Sequence, residues 1–300
     1  MKRLFLLLLL VFSLSAFGGD YYCPMKCEGE KTYEVKGTCP VCGMNLEKKE
    51  AGARPLNTRD YRMELALQPP VPKAGEKTVI TLTPRRTKDN SVVKELDIVH
   101  EKPLHLILVS QELDWFGHEH PEVQTDGSLK LDFTFPRAGN FLLFADLTPK
   151  GDRNQVFPLA VQVAGNKPKV PDLKVSPKGP KKFGDYSVTF SVQPKALAGT
   201  PVSLVFKLAK GGKPVKDLQP YLGTLGHVVG ISEDTTQYIH AHPAGHHEGG
   251  HEHAAAPTGG PELTFMTSFP RPGLYKVWGQ FLHQGKILVA DFVVSVKEKE

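Results

Sequence analysis

Residues 104–121 read LHLILVSQELDWFGHEHP, and residues 226–243 read GHVVGISEDTTQYIHAHP. Three histidines recur between the two segments at an offset of 122 residues: His105 with His227, His118 with His240, and His120 with His242. Each segment contains two strand-like runs separated by a short polar stretch, which is typical of a β-hairpin. The recurrence indicates that the chain contains two copies of one β-domain.

The repeat extends on both sides of these hairpins. Val93-Lys94-Glu95-Leu96 aligns with Val215-Lys216-Asp217-Leu218 at the same offset. Phe135-Pro136-Arg137-Ala138-Gly139 aligns with Phe269-Pro270-Arg271-Pro272-Gly273 at an offset of 134. The difference is absorbed by an insert in the second copy, residues 244–260, which is rich in His, Gly and Ala. Because this insert has too few apolar residues to offset its chain entropy, we expect a disordered loop there.

Short apolar runs cover both repeated regions, and Pro, Gly and Asp-Gly turns separate them. The runs lie at residues 79–83, 104–110, 129–135, 141–147, 156–163, 186–192, 202–208, 226–232, 262–269, 274–281 and 287–296. This pattern predicts an all-β chain of two tandem antiparallel β-sandwich repeats, preceded by a small four-cysteine metal-knuckle module. The expected repeats span residues 73–165 and 183–297, with linkers over residues 51–72 and 166–182.

The N-terminus has the layout of a secretory signal. Lys2 and Arg3 precede an apolar run over residues 4–14, and Ser15-Ala16-Phe17-Gly18 supplies small residues for cleavage. The run is too short for a transmembrane helix, and no other apolar stretch approaches spanning length. We therefore expect a signal peptide over residues 1–18, a periplasmic or secreted protein, and no stable membrane insertion after cleavage.

The charge distribution argues against nucleic acid as a partner. The 37 Lys and Arg exceed the 32 Asp and Glu to give a net charge of +5. The lysines are scattered over turns and linkers, as at Lys178, Lys181 and Lys182, and they form no basic stripe interleaved with aromatic residues. These lysines fit a solvated surface.

The four cysteines all lie within residues 19–50, a segment with little apolar mass. They form two close pairs, Cys23-Pro24-Met25-Lys26-Cys27 and Cys39-Pro40-Val41-Cys42-Gly43-Met44. This spacing can bring four thiolates around one ion, and so small a segment needs such a staple to fold. Thiolates favour Zn(II) or Cu(I), and thioethers suit Cu(I). The candidate metal ligands of this module are Cys23, Cys27, Cys39, Cys42, Met25 and Met44.

Other interpretations of these cysteines stay open. In an oxidising compartment the four thiols could form two disulfides. A purely structural zinc would need only the thiolates, and Met25 and Met44 would then only pack. A thioredoxin-like redox motif requires a βαβ context that the sequence lacks.

Tyr22-Cys23-Pro24-Met25 and Gly37-Thr38-Cys39-Pro40-Val41-Cys42-Gly43-Met44-Asn45-Leu46 resemble the heavy-metal-binding domain of bacterial copper and silver handling proteins. That module occurs at the N-termini of copper-transporting ATPases and of periplasmic adaptor subunits of metal efflux pumps. The resemblance covers about residues 21–48 and implies that the module binds a heavy metal. Lys26-Cys27 stands where His-Pro usually follows the first Met, so the metal preference of the family does not transfer directly. The β-repeats resemble secreted immunoglobulin-like or cupredoxin-like domains, a resemblance that implies no mechanism.

The repeated histidines form a second candidate metal site. In an antiparallel hairpin with an even-numbered loop, His105 faces the same side as His118 and His120. Directly opposite Cβ atoms lie about 5 Å apart, close enough for imidazoles to share an ion. The same geometry places His227 beside His240 and His242. Three neutral imidazoles suit Cu(II) or Zn(II).

A structural role for these histidines stays open as well. His105 alternates with Ile107 and Val109, and a histidine on such a face is usually a hydrogen-bonded core residue. Asp146 and Gln280 align between the copies and are candidates for orienting a histidine. His100 aligns with Leu222 and belongs to no repeated set, so we assign it no role.

Together these features predict an exported transition-metal binding protein, with copper or zinc as the ion. A metal efflux pump or a cuproenzyme is the candidate partner. The alternative is a structural or adhesive envelope protein of immunoglobulin-like domains with a structural zinc. We do not expect an enzyme, because the β-repeats contain neither a blue-copper cysteine nor a nucleophile elbow.

Overall fold

The computed structural model describes residues 21–22, 31–35, 37, 39, 46–48, 60–241, 243 and 259–299. Within these residues the chain is all-β, as the sequence predicts. None of the described segments forms a helix long and apolar enough to span a bilayer. The strands in chain order are β1 (Tyr21–Tyr22), β2 (Thr32–Tyr33), β3 (Glu47–Lys48), β4 (Tyr61–Gln68), β5 (Lys77–Arg86), β6 (Leu104–Ser110), β7 (Phe116–Glu119), β8 (Glu122–Val123), β9 (Leu129–Thr134), β10 (Gly139–Leu147), β11 (Gln155–Val163), β12 (Pro180–Phe183), β13 (Tyr186–Gln193), β14 (Pro201–Lys210), β15 (Lys213–Pro214), β16 (His227–Ser232), β17 (Tyr238–Ala241), β18 (Glu262–Ser268), β19 (Gly273–His283) and β20 (Lys286–Val296). The predicted signal peptide lies outside the described residues, and so does most of the insert expected to be disordered.

The first repeat folds into two antiparallel sheets, with strand orders β4-β5-β9-β8 and β11-β10-β6-β7. Apolar residues alternate with polar ones along β5, so one face of that strand is buried. Ile80 and Leu82 from β5 join Leu106, Leu108 and Phe141 in the core between the two sheets. This is the packing of a β-sandwich.

The second repeat has the same plan. One sheet contains β12-β13-β14 with β15 and β18 both paired to β14, and the other has the order β17-β16-β19-β20. Its core lies between these sheets and includes Phe206, Phe265 and Phe281, all fully buried. The two predicted sandwiches are therefore present, and each has its own core.

The two repeats pack against each other through their inner sheets. All seven residues of β6 are buried, because this strand is covered on both faces. Leu106 and Leu108 belong to the core of the first repeat, whereas Ile107 and Val109 pack with Val229 of the second repeat. Two-sided burial explains why this strand reads as a continuous apolar run.

Two stacked aromatic pairs cross the interface in a pseudo-symmetric manner. Phe116 stacks on Trp278, and Phe144 stacks on Tyr238, each with a centroid separation of 5.0 Å. Phe116 aligns with Tyr238 and Phe144 aligns with Trp278, so the two pairs exchange when the repeats are exchanged. Aromatic pairs of this kind contribute about 0.5–1.5 kcal/mol beyond their area burial. The repeats thus form an internal pseudo-dimer.

The structure differs from the sequence prediction at the expected linkers. Residues 61–68, placed in a linker by the sequence, form strand β4 at the edge of the first repeat. Met63, Leu65 and Leu67 alternate along β4 and pack on the core, and the prolines that follow this strand hid the pattern. The second expected linker similarly overlaps the start of β12.

Candidate metal centre between the two repeats

The β6–β7 hairpin places three histidines on one face. Val109 pairs with Phe116 and Ile107 pairs with His118, so the loop contains an even number of residues, as assumed from the sequence. The turn is fixed by Ser110, whose Oγ accepts hydrogen bonds from the backbone N–H groups of Asp114 (3.2 Å) and Trp115 (3.0 Å). His105 continues this register opposite His120, and the rings of His105 and His118 contact His240 of the second repeat.

The second repeat forms the equivalent hairpin from β16 and β17. Val229 pairs with His240, so His227 and His240 share a face, as predicted. The Oγ of Ser232 accepts the N–H of Gln237 at 2.9 Å and closes the turn in the same way as in the first repeat. His242 lies outside the described residues.

Three ring nitrogens of the first repeat converge. His105 Nδ1 lies 3.0 Å from His118 Nε2 and 3.2 Å from His120 Nε2. These three atoms form the one group of potential metal ligands found among the described residues. A tetrahedral ion with metal–nitrogen distances of about 2.0–2.1 Å holds its nitrogens about 3.3 Å apart, which is close to this spacing.

The outer nitrogens of two of these rings are already used as donors. His105 Nε2–H donates to the carbonyl oxygen of Val99 at 2.9 Å, and His118 Nδ1–H donates to Gln280 Oε1 at 2.6 Å. A neutral imidazole carries only one proton. The facing nitrogens of His105 and His118 therefore present lone pairs to each other. Such an arrangement favours an ion placed between them.

The histidines of the second repeat lie against this group and have matching partners. His227 Nε2–H donates to the carbonyl oxygen of Tyr221 at 2.8 Å, and His240 Nδ1–H donates to Asp146 Oδ2 at 3.1 Å. The His240 ring centroid lies 5.5 Å from that of His105 and 5.8 Å from that of His118. The imidazoles of the two repeats thus form one cluster across the interface.

Burial keeps four of these histidines neutral: His105, His118, His120 and His227. Desolvation, followed by the charge of His240, lowers the pKa of His105 to about 4. Desolvation and then His105 lower the pKa of His120 to about 3. The pKa values of His118 and His227 are well below the ordinary value, with desolvation as the largest cause and His240 as the second. At neutral pH their nitrogens are therefore available as ligands.

Asp146 is a fully buried carboxylate beside this cluster. Burial alone would raise the pKa of Asp146, but the hydrogen bond and the charge interaction with His240, followed by the Asn154 hydrogen bond, lower it below its usual value. Asn154 Nδ2 donates at 2.7 Å, and the Tyr238 hydroxyl donates at 3.1 Å. Three donors thus hold this carboxylate in its charged form.

His100 belongs to the cluster and was missed by the sequence analysis. Its ring centroid lies 5.5 Å from that of His227 and 6.4 Å from that of His105. His100 occupies a tight turn at φ 47°, and its side chain borders a cavity of about 30 Å³ that is also lined by His105, Asp146 and His240. Because it has no repeated counterpart, the alignment carried no signal. His100 directly follows Val99, whose carbonyl oxygen accepts the His105 hydrogen bond, so the turn that holds His105 also brings His100 to the cluster.

The N-terminal module is described only in part. Strands β1, β2 and β3 form a small antiparallel sheet, and Cys39 is 1% exposed. The other predicted ligands of this module lie outside the described residues: Cys23, Cys27, Cys42, Met25 and Met44. The four-thiolate site therefore stays a prediction.

The chain belongs to a family described as Domain of unknown function (DUF8832), which matches residues 57–165 and 181–298. Residues 21–49 match the heavy metal binding domain, which confirms the resemblance identified in the cysteine-rich segment. Comparison with curated proteins finds no match. The immunoglobulin-like or cupredoxin-like resemblance of the repeats stays a prediction.

Solved structures give only distant likenesses. The Escherichia coli adhesin FdeC is 15% identical, with 79% of this chain and 64% of that chain covered and a TM-score of 0.25. The Yersinia pseudotuberculosis adhesin InvE is 11% identical, with 77% and 58% covered and a TM-score of 0.24. Trypsin-activated alpha-2-macroglobulin from Escherichia coli is 12% identical, with 79% and 15% covered and a TM-score of 0.24. This chain spans less than two thirds of each of these proteins, and TM-scores this low define no shared function.

Proposed function

We propose that this chain is an exported transition-metal binding protein that holds copper or zinc between its two β-repeats and in its N-terminal cysteine module. The observation that carries the proposal is the hydrogen bond that each of four buried histidines donates from one ring nitrogen, which leaves the other nitrogen to bind a metal. Four rings donate one N–H to a fixed acceptor: His105 to Val99, His227 to Tyr221, His118 to Gln280 and His240 to Asp146. Histidines that bind metals almost always have such a partner, which fixes the tautomer and orients the ring.

The donor set favours transition metals. The three converging nitrogens come from His105, His118 and His120, and no carboxylate oxygen belongs to that group. Neutral imidazoles suit Cu(II) and Zn(II), whereas Ca²⁺ and Mg²⁺ prefer oxygen ligands. The cysteine module adds soft ligands that suit Cu(I). Zinc suits both sites as Zn(II), and copper suits both as Cu(II) at the imidazoles and Cu(I) at the cysteine module.

The proposed role is periplasmic sequestration or delivery of the ion. His105 and His118 are buried, whereas His120 is half-buried at the edge of the cluster. An ion can enter at such an edge and pass inward by exchanging one ligand at a time. A metal efflux pump or a cuproenzyme would receive the ion. The protein would act as a binder rather than an enzyme.

Metal content tests the proposal directly. The full chain, purified from periplasm, is analysed by elemental mass spectrometry together with a free-thiol count. We expect more than one equivalent of copper, and we expect that His105→Ala, His118→Ala and His120→Ala together remove one equivalent. His283→Ala is the matched control, because His283 is equally buried but bonds to Tyr186 and Asp217 outside the cluster. A chain with neither copper nor zinc would contradict the proposal.

A structural envelope protein is the second candidate. The observation in its favour is that four buried histidines already have hydrogen-bond acceptors and lie between two large apolar cores. On this alternative, the same triple substitution would lower the free energy of unfolding and leave the metal content at one zinc in the cysteine module. The two candidates therefore differ in metal stoichiometry.

A further inference from the structure

Each repeat supplies the hydrogen-bond acceptor for a histidine of the other repeat. Gln280 lies beside His227 in the second repeat, where the two residues are register partners, yet its Oε1 accepts the hydrogen bond that His118 Nδ1–H of the first repeat donates. Asp146 is the register partner of His105 in the first repeat, yet its Oδ2 accepts the hydrogen bond that His240 Nδ1–H of the second repeat donates. Asp146 and Gln280 occupy aligned positions. The exchange is therefore reciprocal.

We propose that His240 joins His105, His118 and His120 in one metal centre shared by both repeats, and that Asp146 and Gln280 are its positioning residues, each holding a histidine of the opposite repeat. This inference rests on the proposed function and extends it. Without Gln280, the His118 ring can rotate or adopt the other tautomer, and its Nε2 lone pair no longer faces His105. Without Asp146, the His240 ring loses the acceptor that fixes its Nδ1–H tautomer. A competent centre thus requires the docked pair of repeats.

Docking of the repeats and binding of the ion are consequently coupled. The ion stabilises the docked pair, and docking raises the affinity for the ion by the same factor, because linkage is reciprocal. Release of the ion to a partner is then promoted by any contact that separates the inner sheets. Because each acceptor belongs to the opposite repeat, the ion is held tightly while the repeats are docked and is released when they separate.

The two acceptors are not equivalent. Asp146 is a charged acceptor held by the Asn154 amide and the Tyr238 hydroxyl, whereas Gln280 is a neutral amide. A carboxylate partner makes an imidazole a stronger donor to a metal than an amide partner does. His240 is therefore the stronger metal donor and His118 the weaker one.

The test uses the full chain with Cys23→Ser, Cys27→Ser, Cys39→Ser and Cys42→Ser, so that only imidazoles bind. Zinc affinity is measured by competition with a chromophoric chelator, and the tautomer of His118 is read from its ¹⁵N ring shifts in the metal-free chain. Gln280→Met removes the acceptor with little change in volume. We expect the affinity to fall about 10–100-fold and the His118 signal to leave the Nδ1–H tautomer. Asp146→Asn should weaken zinc binding in the same range.

Two further variants separate positioning from packing. Gln280→Glu keeps the shape and supplies a carboxylate, so it should bind zinc at least as tightly as the four-serine parent. Phe116→Leu weakens the interface without touching a histidine, so it should lower stability and leave the His118 tautomer unchanged. Parent-like affinity and an unchanged His118 signal in Gln280→Met would overturn this inference alone. Failure of the four-serine parent to bind zinc would overturn the proposed function and this inference together.

Discussion

The two repeats place their histidines on matching strands and fix them through matching backbone carbonyls, but they differ in the side chain that each lends to the other. The carboxylate of Asp146 in the first repeat accepts a hydrogen bond from the second repeat, and the amide of Gln280 in the second repeat accepts one from the first. The first repeat also has His100 where the second has Leu222, and the two residues occupy equivalent tight turns at positive φ. Shared positions thus fix the geometry of the interface, and differing positions set its electrostatics.

The largest expected effect concerns the apolar contact that both repeats share. Trp278 is 3% exposed and fills the interface, so Trp278→Ala should lower the free energy of unfolding by about 3–5 kcal/mol. Urea unfolding of the metal-free chain measures this loss. Ile287→Ala is the control, because Ile287 is 46% exposed and its removal should cost no more than about 0.5 kcal/mol. A loss below about 1 kcal/mol for Trp278→Ala would mean that the repeats do not depend on each other.

A smaller effect is expected from acidification of the metal-free chain. The pKa of His105 is about 4 in the fold, whereas its ordinary value is 6.5. Between these values the unfolded chain binds the proton more readily, so stability is full above about pH 6.5 and falls as the pH drops towards 4. His105 alone should account for about 3 kcal/mol of this loss.

Unfolding free energies at pH 7, 5.5 and 4 measure this dependence. His105→Gln should flatten the slope, because glutamine does not titrate in this range. Equal stability of the metal-free parent at pH 7 and pH 5 would contradict the burial of neutral imidazoles at the interface.

A double-mutant cycle measures the coupling energy of each stacked pair and so tests the pseudo-symmetry of the interface. Phe116→Ala and Trp278→Ala should couple by about 0.5–1.5 kcal/mol, because the two rings stack across the interface. Phe144→Ala and Tyr238→Ala provide the matching cycle for the second stacked pair. Tyr238→Phe by itself removes only the hydroxyl bond to Asp146 and keeps the ring contact. Strict additivity in the Phe116–Trp278 cycle would show that the stacked pair contributes nothing specific.

The smallest expected effect is the change in zinc affinity when His100, which lies beside the ligands, is replaced. His100→Leu introduces the residue found at the aligned position of the second repeat, where Leu222 itself has a positive φ. Because His100 does not belong to the converging group, zinc affinity should change less than about threefold, below 1 kcal/mol. The same competition assay measures it, and a tenfold loss would make His100 a ligand of an asymmetric centre.

Much of the fold followed from the sequence. The continuous apolar run of β6 predicted its bounds, and the offset of 122 residues predicted that His105 and His227 occupy equivalent strands. Strand β4 was missed, because its alternation is short and prolines follow it. The covering of the second face of β6 was also missed. A continuous run shows that both faces are buried, but it does not show that the second repeat covers one of them.

The candidate site was predictable only within each repeat. Strand register placed His105 beside His118 and His120, since parity within a hairpin is a local property. The contacts of Gln280 with His118 and of Asp146 with His240 depend on how two sandwiches dock, which no local pattern encodes. Their alignment suggested a role in orienting histidines, but it gave no sign that the partners are exchanged.

X-ray absorption of the zinc-loaded four-serine chain tests the central claim most directly. A metal centre between the repeats predicts imidazole nitrogens at about 2.0–2.1 Å as the main ligands, and it predicts that His118→Ala lowers the imidazole count. Zinc surrounded only by oxygen ligands, or an imidazole count unchanged by His118→Ala, would contradict a metal centre built by these histidines.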